Sequence, residues 1–257
     1  MTGQGKPNRP GKTVEKSFEI VQYIDREGPS SLSELDNELD ITKSTIHRHL
    51  DTLQSKQLVV KEDDEYRLGY RFLYYGVSTR ENTELYAAAK SKVDKLASST
   101  GERVWCMIEE NGLGVLIYGS GGENAVRTYA QTGSYIPLHQ TAGGKSILAH
   151  LDDSRVTDIL DHHGLPQRTE NTITSREQLL DELAEIRDRG IAFNHEESVK
   201  GLHGISVPVV DETGDGVLGA MSIIGPANRL SEERSHKEFS RRLSGAVNEI
   251  EINLAYS

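Results

Sequence analysis

The sequence predicts an α+β chain built of two unlike modules, and three observations carry that expectation. The first 80 residues hold three amphipathic helical patterns and then two short apolar runs on either side of Asp63-Asp64. Beyond residue 100, strand signals alternate with Gly-rich turns and further helical patterns. Charge divides at the same place. Residues 1–80 carry 12 basic and 13 acidic side chains, and residues 81–257 carry 17 and 27. A chain of 257 residues with net charge −11 suits one large or two ordinary domains. The excess acid fits either ordinary solubility or a high-salt cytoplasm.

Residues 1–12, rich in Gly, Pro and Lys, are expected to be a disordered tail. A first module follows over 13–80. Val14, Phe18 and Val21, helped by Ile20 and Ile24, form an apolar stripe that Gly28-Pro29 ends. Ser31-Leu32-Ser33-Glu34 is a capping box opening a short helix with Leu32, Leu35 and Leu39 on one face. Thr42 is placed to cap a third helix whose Ile46, Leu50 and Leu53 face inward at i, i+4 and i+7. Leu58-Val59-Val60 and Tyr66-Arg67-Leu68, joined at Asp63-Asp64, read as a two-stranded wing.

The third helix shows water a particular set of groups. Lys43, Ser44, Thr45, His47 and Arg48 crowd its first turns, with Ser44, His47 and Arg48 on one face. These side chains donate to phosphates and base edges, and they sit at the helix end that enters a major groove. The pattern is a winged helix-turn-helix with double-stranded DNA as its partner, and Lys12 and Lys16 are placed for phosphate. The bland alternative is a three-helix bundle with a solvated polar face. The wing tip Glu62-Asp63-Asp64-Glu65 would repel phosphate, and Asp51, one turn beyond His47 and Arg48, is placed to pair with a base amine or to orient Arg48.

A linker helix is expected over 81–100, with Leu85, Ala89, Val93 and Leu96 on one side, free to pair with a second copy. The second module, 101–257, opens with strand signals at 103–109, 115–118 and 126–131. A helix is expected from about Thr141 to His150, and another from the capping box Ser175–Gln178 to Gly190. Strands at 204–210 and 217–224 precede a last helix with Phe239, Leu243, Val247, Ile250 and Leu254 inward. The sum is an antiparallel sheet with helices on its faces.

Signatures of catalysis fail one by one. Gly144-Lys145-Ser146 would need glycine where His139 stands to form a phosphate loop. Asn124 occupies the last glycine position of a dinucleotide fingerprint, and Pro208 that of a nucleophile elbow. His162 and His163 are adjacent, so on a helix they point about 100° apart. His139, His195 and Cys106 read as packing residues, and one cysteine makes neither an internal disulfide nor a thiolate metal site. No cofactor, no metal and no enzyme activity are expected. No apolar run approaches the roughly 18 residues of a membrane span, and a cytoplasmic location is expected.

The stretch DITKSTIHRHLDTLQSKQLVV…YRLGYRF resembles the N-terminal domain of the IclR family of transcriptional regulators, through Lys43, Ser44, Thr45, Arg48, Leu50, Leu53, Tyr66, Leu68 and Gly69. Gly133 to Lys145 is similar to the family's Gly-x-x-x-Pro-Leu-His-x-Thr-Ala-x-Gly-Lys stretch. Glu196-Glu197…Gly201-Leu202…Ser206-Val207-Pro208-Val209 and Ser222-Ile223-Ile224-Gly225-Pro226 resemble two more. The likeness runs from about 13 to 255. It implies a GAF/profilin-like effector-binding domain whose small-molecule contacts fall here on Thr128, Ile136, Thr141, Ala142, Gly143, Asn194, Leu202, Gly204, Ser222 and Ile224. Relative to organic-acid binders of the family, Asn194 replaces an aspartate, Gly204 a cysteine and Ile224 a serine, which implies a different effector, an organic acid or a sugar derivative. The expected protein is a homodimer or tetramer on a roughly palindromic operator. Its rivals are a metabolic enzyme with a DNA-binding head and a protein-interaction adaptor with a degenerate helix-turn-helix.

Overall fold

The structure, a computed structural model, describes residues 11–127, 130–211, 216–230 and 235–256. The chain divides into two compact units between Thr79 and Arg80.

In the first unit, α1 (Lys12–Glu27), α2 (Leu32–Glu38) and α3 (Lys43–Ser55) enclose a core of Ile20, Ile24, Leu35, Ile41, Ile46, Leu50 and Leu53. The expected tail lies outside the described residues as far as residue 10. Lys12 is already helical, because the Gly11 carbonyl accepts from Val14 and Glu15. The capping box forms in both halves: the Ser31 hydroxyl accepts from Glu34 N–H, and the Glu34 carboxylate accepts from Ser31 N–H at 2.7 Å. Thr42 does not cap α3 with its side chain; its hydroxyl bonds that of Thr45 instead, at 2.8 Å.

The wing pairs β2 (Val59–Glu62) with β3 (Glu65–Leu68), closed by Asp63 and Asp64, both at positive φ. A third strand was not foreseen. Ser30–Ser31 (β1) pairs with β3 because the extended backbone that a capping residue needs also suits a ladder. Gly69 has no room for a side chain; a Cβ there would sit 2.2 Å from the Gln57 carbonyl oxygen. Helix α4 (Arg71–Glu81) follows with no buried residue, so it lacks the stripe by which a helix is recognised.

The second unit is a six-stranded antiparallel sheet in the order β6-β5-β4-β9-β8-β7, from β4 (Arg103–Glu110), β5 (Leu113–Gly121), β6 (Tyr135–Pro137), β7 (Ala192–His195), β8 (Leu202–Asp211) and β9 (Gly216–Pro226). Alternation along β4 splits its side chains between two cores. Val104 and Cys106 join the layer made by α5 (Glu84–Thr100) and α9 (Ser240–Ala255). Trp105 and Met107 face α6 (Ala142–Leu148), α7 (Asp153–His163) and α8 (Arg176–Arg189).

Two expectations need correction here. The helix expected as a free connector is α5, and its stripe of Leu85, Ala89, Val93 and Leu96 is buried in the first of these cores, unavailable to a second copy. No strand forms among the described residues of 126–131. Gly133 N–H donates to Leu116 O and Leu116 N–H to Ser134 O, so pairing with β5 begins only beyond the turn that Ser134 Oγ closes by accepting from Gln131 N–H. Of the Ser175 capping box, the described half is Ser175 Oγ accepting from Gln178 N–H, and α8 ends at Gly190 in the left-handed region as glycine allows.

Candidate functional site

Helix α3 spends one side on the core. Ile46, His49, Leu50 and Leu53 are buried, and the His49 ring meets Ser17 Oγ of α1 at 2.7 Å. Burial, with Arg48 and Lys16 adding to it, holds the His49 imidazole below its usual value and therefore neutral. The opposite side keeps Lys43, Ser44, His47 and Arg48 exposed and Thr45 half-buried. Asp51 pairs with His47, at 3.0 Å, and not with Arg48. Lys43 and Arg48 have no ion-pair partner among the described residues, so their charge faces outward uncompensated. Lys12 and Lys16 stand on the first turns of α1, and the Ser17–His49 bond brings that end of α1 against α3.

The wing differs. Lys61 pairs with Asp64 at 3.0 Å and Arg67 with Glu62 at 2.5 Å. Its two cations are thus spent on its own acids, and the tip remains net negative.

In the second unit, register assembles most of the expected small-molecule contacts. Ile224 pairs with Gly204 and Gly204 with Asn194; one step along, Ser222 pairs with Ser206. Helix α6 lies on this floor. A Cβ at Gly143 would sit 2.9 Å from Ser222 Oγ, so only glycine lets the helix approach so closely. A Cβ at Gly204 would find ordinary contacts at 3.5–3.7 Å with Asn194, Ala142 and Ile224. Thr141, Ala142, Gly143, Asn194, Gly204, Ser222 and Ile224 therefore meet.

Leu202 lies farther along β8, opposite Pro226. Ile136 is on β6, opposite Gly114, with Met107 between that glycine and Gly143. Thr128 lies outside the described residues. The hydroxyls form a chain, Ser222 Oγ donating to Ser206 Oγ at 3.0 Å and Ser206 Oγ to Met221 O at 2.9 Å. Both polar atoms of Asn194 are committed: Nδ2 donates to Gln140 O at 2.7 Å and Oδ1 accepts from Glu197 N–H at 3.2 Å. Thr141 Oγ1 accepts from Gly144 N–H at 2.9 Å, which satisfies one amide of the turn.

Lys145 of the Gly-Lys motif is buried, its ammonium 2.8 Å from Glu197 Oε1 and 3.7 Å from Glu182. Its charge ties α6 to the β7–β8 connection and α8. Burial raises the Glu197 carboxyl above the usual range, against the opposing pull of Lys145. Cys106 points into the α5–α9 layer, and burial pushes its thiol up to about 12. His139 bonds Pro166 O, and His195 stands edge-on to His203. The three are not a cluster, and among the described residues no three His, Cys, Asp or Glu side chains are grouped to hold a metal.

The family model for the IclR helix-turn-helix domain matches residues 13–63, and that for the bacterial transcriptional regulator IclR C-terminal matches residues 77–252. The chain is 34% identical over 254 residues to a probable HTH-type transcriptional regulator, ArcR, of Halobacterium salinarum, covering 97% of this chain and 96% of that one. The crystal structure of the Thermotoga maritima IclR superposes with TM-score 0.83 at 31% identity, over 95% of this chain and 99% of that one. An IclR homologue from Microbacterium hydrocarbonoxydans, complexed with 4-hydroxybenzoate, shares the fold with TM-score 0.80 at 21% identity, over 95% and 100%.

Proposed function

The chain belongs to the IclR family of transcriptional regulators, and from that premise we propose that it binds a roughly palindromic operator as a homodimer or a pair of dimers through the exposed face of α3, under control of a small effector held by the second unit. The observation that carries the DNA reading is the division of α3 itself: one face fixed by Ile46, His49, Leu50 and Leu53, the other presenting Lys43, Ser44, Thr45, His47 and Arg48 to a groove. Lys12 and Lys16 add phosphate contacts. The self-paired wing stays off the backbone.

Support for a second copy comes from the first unit. Tyr70, Leu73, Tyr74 and Tyr75 expose apolar surface on and beside α4, of the kind that marks a protein contact. The effector would lie where α6 meets the sheet, among Thr141, Ala142, Gly143, Gly204 and Ser222. By favouring one placement of the two DNA-binding heads it would shift how well they span half-sites about one helical turn apart. No step of this scheme alters the effector. No described helix is long and apolar enough to cross a membrane, and the protein works where DNA is, in the cytoplasm.

Fluorescence anisotropy on DNA upstream of its own gene, at several salt concentrations, tests the reading. Affinity that falls steeply with salt and drops by about 1–3 kcal/mol on Arg48→Ala is expected. Equal affinity for operator and scrambled DNA, unmoved by Arg48→Ala, would leave the adaptor reading in its place.

A further inference from the structure

Arg103 opens β4 directly opposite Ile224, and on its other side it faces Gly121 of β5. Register-paired residues share a face, so one row runs Gly121, Arg103, Ile224, Gly204, Asn194 across five strands. The next row runs Gly119, Trp105, Ser222, Ser206, Ala192. Two glycines on β5 open the space these large side chains fill. A Cβ at Gly119 would lie 2.1 Å from the Trp105 ring, and one at Gly121 would lie 3.1 Å from the Arg103 guanidinium. The guanidinium carbon stands 5.7 Å from the Trp105 ring centre.

What the Arg103 Nε lacks, among the described residues, is an acceptor. It is buried without a hydrogen-bond partner, and no carboxylate pairs with Arg103 among the described residues. Two cations of this unit show the usual arrangement: buried Lys145 is met by Glu197, and Arg229 by both oxygens of Glu102. Arg80 also has an unpartnered Nε, but its guanidinium lies over Tyr86 at 4.5 Å, closer than Arg103 lies to Trp105. Among the described residues, a module rich in acids places no carboxylate against this half-buried arginine. Buried donors are rarely left unmet, because the lost hydration is not returned. The rest of the row is neutral, so the row carries one fixed positive charge.

We propose that Arg103 is the anion anchor of the effector site: it takes the carboxylate of a small organic acid, whose body lies over the Trp105–Ser222 row toward Gly204. A planar guanidinium fits a carboxylate with two parallel hydrogen bonds. Strands are about 4.8 Å apart, so Arg103 and Gly204 stand roughly 10 Å apart at the backbone, a gap that one arginine side chain and a small acid span. This rests on the reading that the effector lies against this face, and it selects a carboxylate over an uncharged sugar.

The test is thermal shift and calorimetry on the full-length protein with acetate, pyruvate and 4-hydroxybenzoate, each beside its neutral amide. At least one acid is expected to raise the melting temperature while its amide does not. Arg103→Gln should weaken that acid at least tenfold, and Arg103→Lys should recover part of the loss, with unliganded melting temperatures near that of the parent. Gly204→Val, on the same row, separates the two claims. If the acid still binds Arg103→Gln at full strength but not Gly204→Val, the site stands and the anchor is wrong. Unchanged binding to both variants places the ligand elsewhere and removes both claims. No response to any acid, or equal response to acid and amide, overturns the carboxylate assignment.

Discussion

Lys145 Nζ and Glu197 Oε1 meet at 2.8 Å inside the second unit, both side chains almost wholly out of solvent. The pair joins α6 to the connection between β7 and β8. Removing one partner leaves a charge where water cannot reach it, at a cost of about 3–5 kcal/mol. Urea titration of Lys145→Met should show a loss of that size, whereas Lys145→Met with Glu197→Leu should recover much of it. A double variant no better than the single would mean that the pair is not the source of the cost.

Burial of the His49 imidazole, with Arg48 and Lys16 nearby, makes the first unit sensitive to acid. The folded imidazole lies below its usual 6.5, so between the folded and unfolded values the unfolded chain binds more protons. Stability from this group is therefore complete above about pH 6.5 and is lost as pH falls toward the folded value. His139 in the second unit is also lowered, chiefly by burial. Thermal melts should fall between pH 7 and 5. His49→Gln should flatten the part of that fall belonging to the first unit; an unchanged slope would acquit His49.

Much of this was legible in the sequence, and what was not has a common cause. The capping box at Ser31, the stripes of α3 and α9, and the exposed cations at 43–48 are local patterns with periods that a chain displays by itself. Helix α4 was unreadable because none of its side chains is buried, and β1 because two residues carry no period. Arg103 was missed for a different reason. The alternation Arg103, Trp105, Met107 is plain, but only the order β5-β4-β9-β8 shows that it shares a row with Gly204 and Ser222.

Asn194 carries its own prediction. Its Nδ2 donates to Gln140 O at 2.7 Å, so Asn194→Asp would aim a carboxylate oxygen at a carbonyl oxygen. The expected cost at neutral pH is about 1–3 kcal/mol for the lost bond and the unmet acceptor. Because the folded chain would favour the protonated acid, the deficit should shrink as pH falls toward the ordinary carboxyl range. Equal stability of parent and variant at pH 7 would show that the turn at 138–140 rotates to accommodate the charge.

Asp51 should act on DNA affinity through His47. The two side chains meet at 3.0 Å on the exposed face of α3, and both are more than half accessible. An exposed pair of this kind adds little stability, about 0–1 kcal/mol, but it places a negative charge on the face of α3 that we propose meets phosphate and base edges. Asp51→Asn should leave urea stability nearly unchanged and raise non-specific affinity for DNA, with a larger gain at low salt where repulsion is least screened. Loss of operator selection on the same substitution would show instead that Asp51 fixes the His47 ring for reading a base. Affinity and selection both unchanged would mean that this turn of α3 stands clear of the duplex, and the contacts would then rest on Lys43, Ser44 and Arg48.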